Sequence, residues 1–473
     1  MQQNLVFKYF AEICKIPHVS GNEQALGKYI VSVLKQSNCE IKIDKIGNVY
    51  ASRHVNSSLP GICFQAHLDM VGEKSSTSSH NFQTDPIKFY EKDGWIQTQD
   101  TTLGADDGIG IALILALLTD TSLPPRPLET VFTVQEETTT MGAIKLNNQW
   151  IKSPYLINLD SEDDRTIVIG NGGCCDFNGW FAVDRKSSSK QSTSLSIKIF
   201  NGTGGHSGIN ITDNTINVIV EIFNILQTIK PKYVFRLIDI KTTNTLNAIP
   251  NFCEVIININ KSYINKFKKD FSRYFQILLN TYKDSEKNLS LDFNNVKTSL
   301  HPLTLNDTSK LMDVVLAVNN GLNNYDVFFK TPRVSTNLGK LVITQNQVHL
   351  GWLQRSNDDY DLDKLNNKLI SLFNLVGGKY QIANRTSGLK PNNSNRLALQ
   401  IKNIAQTQFH RQIAIVAVHA VLEMGDIVKH YPKIIPASIG ANIQNPHTVN
   451  ERVEIQSILY TYELLKEIIK HVQ

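Results

Sequence analysis

Three short apolar runs in the first third of the chain each end on ligand-type residues. Gly61-Ile-Cys-Phe-Gln-Ala leads into His67 and Asp69. Leu128-Glu-Thr-Val-Phe-Thr-Val-Gln135 leads into Glu136 and Glu137, and Tyr155-Leu-Ile-Asn-Leu leads into Asp160. Such runs, rich in Val, Ile and Phe, predict buried strands of a parallel sheet. In open α/β sheets the chemistry gathers beyond the carboxyl ends of those strands. Between the first two runs, Asp106-Asp107 opens a nearly all-apolar stretch through Leu118. A helix that is apolar all round is a buried one. Two glycines near its start permit close backbone approach, and Asp107 can cap it.

The pattern then changes. Residues 194–200 alternate like a half-buried strand. Strand-like runs at 233–238, 254–259 and 341–344 mix with amphipathic helices predicted over roughly 216–229 and 263–282. A closing helix is predicted over 453–471. Polar stretches at 184–193 and 384–395 bracket the middle. The expectation is an α/β catalytic domain with a mostly parallel sheet, built from 1–187 and 385–473, interrupted by an α+β domain at 188–384.

At 473 residues the chain can form two or more domains with real cores. A net charge of +5 is modest for this length and does not point to nucleic acid. No apolar run approaches the roughly 20 residues of a membrane span. The opening Met-Gln-Gln-Asn-Leu-Val-Phe-Lys has no basic start followed by a long apolar region, so no secretory signal is expected. Cys14, Cys39, Cys63, Cys174, Cys175 and Cys253 form no C-x-x-C pair and read as reduced thiols of a cytoplasmic protein.

His67, Asp106, Glu136, Glu137, Asp160 and His447 combine two imidazoles with several carboxylates, which suits Zn²⁺ or a similar borderline metal. Two ions sharing a carboxylate and a water make that water a nucleophile at neutral pH. An adjacent, non-coordinating Glu can move the proton. Alone, a strand-end His is ordinarily a packed side chain, and adjacent glutamates are ordinarily solvated. The coincidence at three strand ends reverses both readings. His206, in Gly-Gly-His-Ser-Gly, could by itself be a turn residue, and Arg355 a solvent-facing strand end.

The chain resembles the aminoacyl-histidine dipeptidases, within the wider clan of di-zinc dipeptidases, aminoacylases and carboxypeptidases. The carrying motifs are Gln65-Ala-His67-Leu-Asp69, Thr102-Leu-Gly-Ala-Asp106-Asp-Gly-Ile-Gly, Glu136-Glu137, Ile157-Asn-Leu-Asp160-Ser-Glu, Gly204-Gly-His206-Ser-Gly, Asn247-Ala-Ile-Pro250 and Pro446-His447. The resemblance implies a di-zinc aminopeptidase-like catalytic domain with an inserted lid and dimerisation domain. It implies hydrolysis of dipeptides, Xaa-His or broader, with two Zn²⁺ per subunit, Co²⁺ or Mn²⁺ being alternatives. In that scheme His67 and Asp160 hold one ion, His447 and Glu137 the other, and Asp106 bridges them. Glu136 is the general base, and Asp69 orients and polarises the His67 ring, a role that physics also favours. His206 and Asn247 reach an active site, often that of a partner subunit in a homodimer. Arg355 receives the substrate carboxylate, and His419 and Glu423 lie toward the substrate. The Asp106–Asp107 peptide is implied to be cis.

The chain departs from the family pattern at Val421, at Ile211-Thr212 and at Thr336-Asn-Leu-Gly339. Every expected metal ligand is intact, while substrate-facing positions vary. An N-acyl amino acid deacylase, a tripeptidase and a non-catalytic metal-binding protein on the same fold remain open at this point.

Overall fold

All three apolar runs are adjacent strands in the computed structural model, which describes residues 4–473. Met1, Gln2 and Gln3, the start of the N-terminal segment read above, lie outside the described residues. The sheet that carries the runs consists of β1 (Glu40–Ile43), β2 (Val49–Arg53), β3 (Ile62–His67), β4 (Leu128–Thr133), β5 (Tyr155–Asn158), β6 (Thr166–Val168), β7 (Ala414–Val416) and β8 (Ile435–Ser438). Its order is β1-β2-β4-β3-β5-β8-β6-β7.

The central strands β4, β3, β5 and β8 are parallel. Every residue of β3, β4 and β5 is buried. Burial on both faces is why these strands read as unbroken apolar runs rather than as alternation. The sheet is mixed, however, since β1 and β2 run antiparallel. The reason is the turn between them. Asp44 Oδ1 accepts the backbone N–H groups of Ile46, Gly47 and Asn48, and Gly47 has φ 110. A turn this tight returns the chain directly, without the crossover that parallel strands need.

The Asp106 segment forms α1 (Ala105–Thr119), buried from Ala105 to Leu118. Asp106 itself is extended (φ −85, ψ 108), so the regular helix starts after Asp107. Asp107 caps it, accepting from Gly110 N at 3.1 Å, and also binds His67 N at 3.2 Å. A Cβ on Gly110 would lie 2.1 Å from Asp107 Oδ1, so this cap requires glycine.

The fold divides into two units. The first unit ends at Asn171 and resumes at Thr386, and the second unit is Gly172–Arg385. The first junction thus lies upstream of the polar stretch at 184–193. The cause is the strand Gly173–Ala182, which pairs along its length with Gln347–Ser356 and also with Lys379–Ala383. It therefore belongs to the second unit, and the polar stretch is a connection inside that unit.

The second unit contains two antiparallel sheets. One has four strands and the other five. Helices Val218–Ile229 and Ile264–Thr281 pack on a shared core that includes Ile197, Phe223, Val255, Phe267 and Phe271. The first helix starts later than the apolar pattern because Asn217 caps it, its side chain accepting from Ile219 N and Val220 N. The closing helix is Ile455–His471, its start delayed because Arg452–Glu454 pairs as a strand with Trp95–Gln97. Among the described residues no helix is long and apolar enough to cross a membrane. Cys14, Cys39, Cys63, Cys175 and Cys253 are free thiols.

Candidate active site

The carboxyl ends of β3, β4 and β5 converge, and Asp106 and His447 join them. Asp106 Oδ1 lies 3.0 Å from His67 Nε2, and Asp106 Oδ2 lies 3.0 Å from His447 Nε2. Asp160 Oδ1 is 3.7 Å from His67 Nε2, and Glu137 Oε1 is 3.0 Å from His447 Nε2. One carboxylate therefore presents one oxygen to each imidazole, and each imidazole has a further carboxylate beside it. Donor atoms fall within 4.8 Å of one another in three groups: His67, Asp106 and Asp160; Asp106, Glu137 and His447; and His67, Glu136 and Glu137. The Asp106–Asp107 peptide is cis, as the resemblance implies.

The His67 ring is held in one tautomer. Its Nδ1 lies 3.0 Å from the backbone oxygen of Asp69. A carbonyl oxygen only accepts, so Nδ1 carries a proton and Nε2 is the nitrogen turned to the carboxylates. The Asp69 carboxylate stands farther from the ring, at 3.6 Å. It accepts instead from Glu136 N at 2.8 Å, Glu137 N at 3.1 Å and Ser20 Oγ at 2.7 Å. Asp69 thus orients the imidazole through its main chain and anchors the Glu136–Glu137 turn through its side chain. That turn forms α2 (Glu136–Thr139), entered through Gln135 at φ 55. His447 is also left-handed, at φ 59. Non-glycine residues in this region are uncommon and concentrate at functional sites.

The electrostatics fit a cation site. Burial raises Glu137 to about 7, helped by Asp106. Burial raises Asp160 to about 6. Glu162, two residues beyond Asp160, is pushed up to about 8 by burial and then by Asp106 and Asp160. Glu136 is raised well above the carboxylate range, again chiefly by burial. Burial works against charge on His447, yet Asp106 and Glu137 lift it to about 11. Burial likewise opposes charge on His67, and Asp106, Asp160 and Asp69 together raise it well above its ordinary value. Buried carboxylates at this density need compensating positive charge. Glu137 Oε1 is also buried and faces His447 Nε2 at 3.0 Å, a pair of donor atoms that could share one ion. Imidazole and carboxylate donors in these numbers fit zinc or a similar divalent ion.

Sequence reasoning missed Glu451. Its Oε2 accepts from Leu103 N (2.8 Å) and Gly104 N (3.1 Å), and its Oε1 from Ala105 N (2.7 Å) and Asp106 N (3.4 Å). One carboxylate, on the segment that carries His447, thereby fixes the loop that carries Asp106. No local pattern marks it, because its partners lie almost the whole chain away. Glu451→Ala is expected to lower unfolding stability by about 3 kcal/mol or more, since each buried donor left unmet costs about 1–3 kcal/mol. An unchanged urea midpoint would contradict this role.

In the second unit, His206 and Arg355 meet, Arg355 Nη2 lying 3.3 Å from His206 Nε2. His206 Nδ1 accepts from Gly208 N and Ile209 N, which puts the ring proton on Nε2. Two donors therefore converge. Arg355 is 6% exposed, and its Nε is buried without a hydrogen-bond partner. Asn247 is adjacent: its backbone oxygen accepts from Ser207 N at 2.8 Å. Asn337, within the departing Thr336-Asn-Leu-Gly339 motif, pins this loop by donating to Leu246 O (2.9 Å) and Ala248 O (2.8 Å). In the first unit, His419 and Glu423 are buried, at 5% and 0% exposure, rather than lining open space. A cavity of about 610 Å³ opens beside Glu137, lined in part by Val19, Met70, Val71, His80 and Phe82.

Comparison with known proteins agrees with this geometry. The model of peptidase family M20/M25/M40 matches residues 63–471. The chain is 32% identical over 467 residues to the cytosol non-specific dipeptidase of Escherichia coli (strain K12), covering 98% of this chain and 96% of that protein. Its structure is similar to that of aminoacylhistidine dipeptidase from Vibrio alginolyticus, with TM-score 0.89, 26% identity and coverage of 98% and 96%. A tripeptidase from Staphylococcus aureus shares the fold, with TM-score 0.59, 17% identity and coverage of 98% and 97%. The chain belongs to peptidase family M20/M25/M40 and is a metal-dependent peptide hydrolase.

Proposed function

We propose that this protein is a cytoplasmic dipeptidase that uses two divalent ions, zinc in the first place, and accepts a range of dipeptides, Xaa-His among them. The observation that carries the reading is Asp106, whose two oxygens each face one imidazole at 3.0 Å. Location and substrate class draw further support from the names of the Escherichia coli and Vibrio relatives.

His67 and Asp160 would hold one ion and His447 and Glu137 the other, with Asp106 shared. Ions there supply Lewis acidity, polarising the peptide carbonyl and acidifying a water. Glu136 takes the proton from the attacking water and delivers it to the leaving amine. Burial and acidic neighbours raise its proton affinity well above that of an ordinary carboxylate, the direction a general base needs. Asp69 holds Glu136 in place through the backbone N–H at 2.8 Å. The cavity beside Glu137 gives room for a substrate side chain.

In this reading the unit Gly172–Arg385 serves as lid and dimerisation domain of a homodimer. The converging His206 and Arg355 donors suit an anionic group. Arg355 binds the free carboxylate of a short peptide, and His206 steadies the oxyanion, with Asn247 beside them. A panel of dipeptides, tripeptides and N-acetyl amino acids, assayed with zinc, manganese and cobalt, tests the reading. Dipeptides should be cleaved fastest. Faster turnover of tripeptides or acylated amino acids would contradict it.

A further inference from the structure

A second row of polar side chains lies behind the metal-site residues. Gln65 stands two residues before His67 on β3, and Asn158 stands two before Asp160 at the end of β5. Thr133 closes β4, three residues before Glu136, and Ser438 closes β8. Side chains alternate faces along a strand, so Gln65 shares a face with His67. Asn158 pairs with Gln65 and Thr133 with His67, so all four project to the same side. Glu423 meets this row from just before the helix α3 (Met424–His430). Gln65, Thr133, Asn158, Ser438 and Glu423 are each 0% exposed. Polar groups buried so completely are costly unless they are bonded.

Their hydrogen bonds form one chain with a single direction. Ser438 Oγ donates to Asn158 Oδ1. Asn158 Nδ2 donates to Gln65 Oε1 at 2.6 Å, and Gln65 Nε2 donates to Glu423 Oε2 at 2.6 Å. Thr133 Oγ1 donates to the same Glu423 oxygen at 2.5 Å. Every donor points toward Glu423. Glu423 Oε2 accepts from both Gln65 and Thr133, and this acceptor fixes which way the amides of Gln65 and Asn158 face. Each bond polarises the next in such a chain. The row spans β4, β3, β5 and β8, three of which deliver residues of the metal site within three positions of the row.

We infer that Glu423 is a positioning residue: it terminates a buried hydrogen-bond chain that locks four strand ends together and so holds His67, Glu136 and Asp160 in working geometry. This replaces a substrate contact, which its complete burial and its bonds to β3 and β4 disfavour. The inference rests on the proposed roles of those three residues at the metal centre. Partners one step removed from metal ligands typically change metal affinity or activity by about 10–100-fold when altered.

The test compares the wild type with Glu423→Gln, which keeps the shape and an accepting oxygen but replaces the carboxyl group by an amide. Zinc is titrated into the metal-free protein by competition with a chromogenic chelator. The visible spectrum of the cobalt form is recorded, and kcat and KM are measured on one dipeptide. The expected result is a fall of about 10–100-fold in zinc affinity and in kcat, an altered cobalt spectrum and an unchanged KM. Wild-type zinc affinity and kcat with a raised KM would restore the substrate contact and overturn the inference. A lowered thermal midpoint with unchanged zinc affinity, spectrum and kcat would reduce Glu423 to a stability element and overturn it as well. Should Glu423→Gln fail to fold, Thr133→Val decides. It removes one donor to the same oxygen, so zinc affinity should fall by a smaller factor, and no change counts against the inference. If the wild type binds no zinc, the proposed function falls and takes this inference with it. Normal wild-type binding with an unaffected variant defeats the inference alone.

Discussion

Glu136→Gln lowers kcat for dipeptide hydrolysis by about 10²–10⁴-fold, the usual contribution of a positioned general base, and leaves metal content unchanged. The amide keeps the volume of the side chain and the backbone N–H that Asp69 accepts at 2.8 Å. It cannot take a proton. The raised proton affinity of Glu136, chiefly from burial, is the property that the substitution removes. Metal analysis beside steady-state kinetics gives the answer. The result discriminates between two roles, because Glu136 also lies within 4.8 Å of donor atoms of His67 and Glu137. Loss of metal would make Glu136 a ligand rather than the base, and near-normal kcat would remove it from the chemistry.

Asp106→Ala has the other large effect. Without Asp106, two of the three donor groups lose a member, leaving His67 with Asp160 at 3.7 Å in one and His447 with Glu137 at 3.0 Å in the other. Catalytic zinc sites ordinarily use three protein ligands, so neither remaining pair suffices. Zinc binding at stoichiometric concentrations and dipeptide hydrolysis should both be lost. Circular dichroism should show a folded protein, since Glu451 still anchors the backbone of this loop through Leu103, Gly104 and Ala105. Retention of one tightly bound zinc with measurable turnover would show that the two groups do not depend on a shared carboxylate.

Legibility followed the range of the interactions. The runs before His67, Glu136 and Asp160 were readable because burial on both faces removes polar residues from the strand itself. The Asp106 helix was readable for the same reason. The antiparallel β1–β2 hairpin was not anticipated, since its signal is one aspartate gathering three backbone N–H groups around Gly47. The first unit boundary was misplaced because a polar stretch looks the same whether it joins two domains or two sheets of one domain. Only the pairing of Gly173–Ala182 with Gln347–Ser356 decides between them. Glu451 was invisible because it acts on backbone atoms far away in the chain, and backbone atoms leave no trace in sequence. Glu423 was noticed through a motif, but its burial beneath the sheet ends depends on where Gln65 and Thr133 place their side chains.

In the proposed function one carboxylate, Asp106, organises two metal sites that together make a dipeptidase. The most direct measurement is a titration of the exhaustively chelated wild-type protein with zinc, following bound metal and dipeptide hydrolysis in the same samples. Two equivalents should bind per chain, with no hydrolysis without metal and full hydrolysis on saturation. Undiminished hydrolysis by the metal-free protein, or saturation of both signals at a single equivalent, would contradict the proposed function.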